Sequence, residues 1–91
     1  MANKKFDPKH ELREAEQELS VLVVGKSGFG ADLAQIGLVE GRFIQKCVSA
    51  FERGSIDFEQ QRDALRLISD EYYPENPITQ KRDEAYRSYK N

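Results

Sequence analysis

Between Gly30 and Arg53 the small and apolar residues fall at alternating steps of four and three: Gly30, Ala34, Gly37, Gly41, Ile44, Val48, Phe51. Such spacing brings side chains onto one face of a helix. A second seam runs beside it through Leu33, Ile36, Phe43, Cys47 and Ala50, interrupted by Glu40. Two adjacent seams are wider than a single coiled-coil stripe, so the pattern predicts a helix that touches more than one neighbour. Asp32, Gln35, Arg42, Gln45, Lys46, Ser49, Glu52 and Arg53 are left mostly for the wet side.

The first half of the main seam is small and the second half is large. Gly30, Ala34, Gly37 and Gly41 would let another backbone lie close, whereas Ile44, Val48 and Phe51 fill space. An interior glycine costs about 0.5–1 kcal/mol relative to alanine, a weakness that close packing could offset. The competing expectation is a helix broken at Gly41, near Glu40. Unbroken, the segment is about 36 Å long and most other segments can lie against it.

The remaining pattern supplies shorter helices. Residues 1–6 read as a loose, basic end. Asp7-Pro8 is a helix start, with Asp7 as N-cap and Pro8 at the first helical position. Leu12, Ala15, Leu19 and Leu22 continue the three-four spacing and predict a helix over 8–24. The β-branched Val21, Val23 and Val24 offer a short strand over 20–24 as the alternative. Gly25-Lys26-Ser27-Gly28-Phe29-Gly30 reads as a turn, with Gly25 as the left-handed cap of the first helix. A short connection favours antiparallel neighbours, and Phe29 is expected to plug the end of that pair.

Gly54 marks the end of the central helix. Asp57 with Gln60 three residues on starts a third helix, expected over 57–73. Its stripe is Phe58, Leu65, Ile68 and Tyr72, with Ile56, Ala64 and Leu67 at the margins. Residues 57–76 hold six acids against two arginines, so the outer face is acidic. Pro74 and Pro77 stop this helix, and Thr79 caps a short final one over about 79–89. The extension 74–91 is poor in apolar residues and would be ordered against a partner.

Composition narrows the classes. Ninety-one residues, 38% apolar and 33% charged, fit one small helical domain with a thin core. Such a core makes association with a copy of itself or another protein a reasonable expectation. A net charge of −2 gives no global attraction to nucleic acid or anionic lipid. The single cysteine, Cys47, forms no intrachain disulfide, and the apolar run Val21–Val24 is far too short to span a bilayer. With no apolar leader region after Lys4-Lys5, the expected location is the cytoplasm.

Candidate chemistry is sparse. Gly25-Lys26-Ser27 imitates a phosphate loop, but the first glycine of that pattern is replaced by Ser20 and the four residues that should wrap phosphate are Val21–Val24. Gly25, Gly28 and Gly30 run GxxGxG rather than GxGxxG, without a βαβ unit. His10, the lone histidine, has no convergent ligands in the sequence. Cys47 lies among Phe43, Ile44, Ala50 and Phe51, a setting that keeps a thiol inert. No catalytic residue, cofactor or metal is therefore expected.

Two basic groups remain as interaction candidates. Arg42, Lys46 and Arg53 share one side of the central helix and could meet phosphates, an acidic surface or simply water. Lys81, Arg82, Arg87 and Lys90 stand with Tyr86 and Tyr89 in the tail, where they could stack bases and neutralise phosphates. A recognition helix over 57–73 would be too acidic for a major groove.

The expectation is an all-α chain: three main helices in an antiparallel arrangement around a long central one, plus a short C-terminal helix. Its function is expected to be non-catalytic: an interaction protein, regulator or inhibitor, self-associating as a homodimer through Gly37 and Gly41. The alternative is a nucleic-acid-binding accessory protein using the tail. Small chains of this composition are common among accessory proteins of phages and mobile elements.

Overall fold

The computed structural model describes residues 5–90. Asp7 accepts a hydrogen bond from the Lys9 N–H and Pro8 sets the first turn of α1, Pro8–Ser20. This helix is shorter than its apolar spacing suggests. The Ser20 hydroxyl donates to the Gln17 carbonyl, and residues 21–24 form neither helix nor strand. Val21 and Val23 are exposed, while Leu22 and Val24 turn inward and pack on the core. Over 21–24 an irregular connection stands in place of both the last turn of the expected helix and the alternative strand, and lets Val21–Val24 alternate out and in without a ladder partner.

Gly25 has a φ of 94°, but it lies five residues beyond α1 and caps nothing. Its backbone runs beside the C-terminal helix: a Cβ there would stand 2.7 Å from the Ser88 hydroxyl. Its N–H donates to Asp32 Oδ2 at 2.6 Å. That bond ties the loop to the first turn of α2, Phe29–Glu52, whose N-cap Gly28 supplies no side chain. Asp32, expected on the wet side, is fully buried. A carboxylate there meets the positive end of the helix dipole. Oδ1 has no hydrogen-bond partner among the described residues.

The central helix is continuous through Gly37 and Gly41 and closes with a Schellman cap. Gly54, at φ 78°, donates to the Phe51 carbonyl, and Ser55 to that of Ala50. Its buried face is the second seam: Ile36, Phe43, Cys47 and Ala50, joined by Val39. The seam expected to lead is the outer one. Gly30, Ala34, Gly37, Gly41, Ile44 and Phe51 are exposed and Val48 is half-buried. Among the described residues nothing lies within 4 Å of a Cβ built at Gly37 or Gly41, so no described backbone approaches them.

The capping box at Asp57 forms as the sequence implies, with Asp57 and Gln60 exchanging hydrogen bonds, and opens α3, Phe58–Arg66. This helix stops well short of residue 73. Leu67, Ile68 and Ser69 donate three residues back, tightening the chain into turns that carry Ile68 inward. The stripe is rotated from expectation: Ile56, Ala64 and Ile68 are buried, while Phe58 and Tyr72 are exposed. Arg66 lies 4.5 Å from the Tyr72 ring centre.

Asn76, not Thr79, starts the last helix. Its Oδ1 accepts from the Thr79 N–H, its Nδ2 donates to the Tyr73 carbonyl and Thr79 Oγ1, and Pro77 takes the first position of α4, Pro77–Lys90. A segment ordered only by a partner is not what forms. Ile78 and Ala85 are fully buried in the cluster with Leu19, Ile36 and Phe43. Phe29 packs on Tyr86 and Tyr89 of α4, at ring separations of 5.3 and 4.9 Å, rather than plugging the α1–α2 end. Of the loose end expected over 1–6, residues 1–4 lie outside the described residues and Phe6 packs on the core. The result is all-α, with four helices and no strand among the described residues.

Asp32→Ala removes a buried, charge-assisted bond and should lower stability by about 1–3 kcal/mol in urea unfolding. Gly37→Ala, which meets open space on the same helix, should raise it by about 0.5–1 kcal/mol when measured in dilute solution.

Candidate functional site

The basic residues of α2 are committed to α1. Arg42 hydrogen-bonds Glu18, and Lys46 lies 2.9 Å from Glu11 and 3.5 Å from Glu14. Residues later in α2 meet residues earlier in α1, so the two helices run in opposite directions. The hydrogen bond to Glu11 is the main reason that the Lys46 pKa is raised, against a smaller opposing effect of burial. These pairs are largely exposed and contribute little each, and they lie along the side of α2 that faces α1. Arg53 is the C-cap of α2, exposed and outside every ion pair among the described residues.

The tail cations are also engaged. Arg82 reaches Glu40 of α2 at 3.0 Å, and Lys81 pairs with Glu84 at 3.1 Å. Glu40, which interrupts the second seam in the sequence, thus makes a polar contact between α2 and α4. Tyr86 and Tyr89 are occupied by Phe29, and Arg87 lies exposed on α4 in a groove with Glu16, Asp83 and Glu84. The stripe Arg42–Lys46–Arg53 and the tail group therefore do not converge on one basic surface.

Among the described residues, Lys46 and Cys47 are the titratable groups with a clear shift. Burial, reinforced by the charge of Glu11, pushes the Cys47 thiol up to about 11. A neutral buried thiol is a poor nucleophile. His10, Glu11 and Glu14 bring ligand atoms within 4.8 Å of one another, a grouping that the sequence reading missed because it treated His10 alone. The Lys46 ammonium already sits against both glutamates, where a metal ion would have to compete with it. The Gly25–Gly30 loop joins two helices, and the buried Asp32 carboxylate holds it from beneath; neither feature suits phosphate.

What remains is the outward face of α2. The charged residues of this helix are Asp32, Glu40, Arg42, Lys46 and Glu52, and the first four point toward the core or the flanking helices. The outer arc from Gly30 to Val48 therefore carries no charge. Ala34, Gly37, Leu38, Gly41, Ile44 and Gln45 are exposed along it, Leu38 to 64%. Phe51 ends the strip, and Phe58, 63% exposed, meets it edge-on at 6.3 Å. Leu38 was outside both seams of the sequence reading; completing the helical projection around Ala34 and Gly41 would have found it. Comparison of the chain with protein-family models, curated proteins and solved structures finds no match. No helix among the described residues is long and apolar enough to cross a membrane.

Modification of Cys47 by a thiol reagent should be slow in the folded protein at about pH 8 and fast after unfolding. Because the folded thiol holds its proton more tightly, its contribution to stability is complete below the ordinary thiol range and is lost as pH climbs toward about 11. Cys47→Ala should flatten that part of the alkaline stability profile, measured by urea unfolding.

Proposed function

We propose that this chain is a non-catalytic interaction protein whose working surface is the uncharged outer face of α2, extended by Phe51 and Phe58. One observation carries the reading. In a chain that is 33% charged, the outward arc of a 24-residue helix between Gly30 and Val48 is charge-free while exposing Leu38 and Ile44. Exposed apolar strips of this kind mark contacts with other macromolecules. Helix-in-groove or helix-on-helix binding reads such a strip through residues three and four apart. Binding of this type acts by occupying a partner's surface, which is how a regulator or inhibitor without chemistry works. The single cysteine supports a reducing compartment, the cytoplasm. The pairing of Lys81, Arg82, Arg42 and Lys46 with carboxylates weighs against the nucleic-acid alternative.

Leu38→Glu places a charge in the strip without touching the core. Tagged wild-type chain should retain protein from a host extract, nuclease treatment should leave that capture intact, and Leu38→Glu should abolish it. Equal capture by the variant, or release by nuclease, would overturn the assignment.

A further inference from the structure

We propose that the groove between α1 and α4 is a second binding site, and that it takes an extended peptide segment carrying an apolar side chain close to arginine or lysine. Two hollows form the groove, one on each side of the turn at 74–77. The first, of about 510 Å³, opens between the C-terminal half of α1 and α4, with Leu19, Pro74 and Pro77 as its apolar lining. The second, of about 380 Å³, lies between Leu12 of α1 and the tyrosines before the turn, Tyr72 and Tyr73. Pro74, Glu75 and Pro77 border both, so the hollows adjoin.

The two ends differ in chemistry. Around the first, Glu16, Glu75, Asp83 and Glu84 stand against Lys81 and Arg87, so carboxylates outnumber cations. Lys81 is already engaged by Glu84 at 3.1 Å. Glu16, Glu75 and Asp83 are exposed, and among the described residues no ion pair or hydrogen bond engages their carboxylates. Open carboxylates beside apolar surface suit a long cationic side chain. Its methylene stem covers the apolar part while its charged head reaches the oxygens. Glu75 is the one charged residue around the second hollow, where leucine, tyrosine and proline otherwise dominate. That end suits an apolar side chain. The same charges repel a nucleic acid, whose phosphates would face the carboxylates.

The groove is built in advance. Asn76 is buried and holds the turn through its bonds to the Tyr73 carbonyl and to Thr79. Pro74 and Pro77 stiffen the backbone on either side of it. Tyr72 and Tyr73 are half exposed and have few rotamers to lose. Binding there therefore orders little that is not already ordered. A short segment covers less area than a standard protein interface, so the expected dissociation constant is on the order of 100 μM. The groove shares no lining residue with the outer face of α2, and the two sites stand or fall separately.

The probe is a panel of acetylated, amidated peptides, each with a leucine and an arginine pair at stepped separations along a serine–glycine chain. Matched controls carry glutamate for arginine or serine for leucine. Each is titrated into isotopically labelled chain and followed by NMR up to about 2 mM peptide. At least one arginine peptide should move the amide signals of Ser20, Tyr73 and Gln80 to saturation. Its affinity should fall about fivefold as salt rises from about 50 to about 300 mM. Glu16→Gln, Glu75→Gln and Asp83→Asn together should weaken it about tenfold or more. These residues are exposed, so the thermal unfolding temperature should hold. Tyr73→Ser should weaken binding and leave its salt dependence in place, while Leu38→Glu should leave binding unchanged. No response to any arginine peptide at about 2 mM overturns the site. So does equal binding of the glutamate peptides, undiminished affinity of the triple variant, or a response confined to Leu38 and Ile44 on α2.

Discussion

The packing of Ile36, Phe43 and Cys47 on α2 against Leu19, Ala64, Ile78 and Ala85 holds α1, α3 and α4 in place. Each of the three outer helices is short and contributes one or two buried side chains. None of them could bury enough apolar surface without the central helix. Alanine at 15, 64 and 85 lets these helices sit close to α2, and the larger residues of α2 fill the space between them.

That dependence explains where the polar interactions fall. Arg42 and Lys46 tie α1 down, Glu40 ties α4, and Asp32 ties the loop that enters α2. Four of the five charged residues of the helix are thus spent at its flanks and beneath it. The outer side is left with glycine, alanine, leucine, isoleucine and glutamine. A protein of this size has little apolar material to spare, and part of it lies exposed along α2.

The glycines acquire a different meaning in this setting. Gly37 and Gly41 weaken the helix, and no contact among the described residues compensates them. Their cost is offset only if something approaches from outside.

Much of the local structure was legible beforehand because it depends on neighbours in the chain. The start of α1 at Asp7-Pro8, the unbroken central helix, its end at Gly54 and the capping box at Asp57 all rest on hydrogen bonds spanning a few residues. The sequence also defined two seams on α2 by periodicity alone. It could not rank them, since both are apolar and each could serve as the core. The choice was made by the other helices, whose buried positions converge on Ile36 and Phe43. The early end of α3 and the burial of Asp32 have the same origin: Ile68 is drawn inward, and the Gly25 loop closes over a carboxylate. Periodicity reports which residues share a side of a helix; only the arrangement of the other segments in space decides which side meets water.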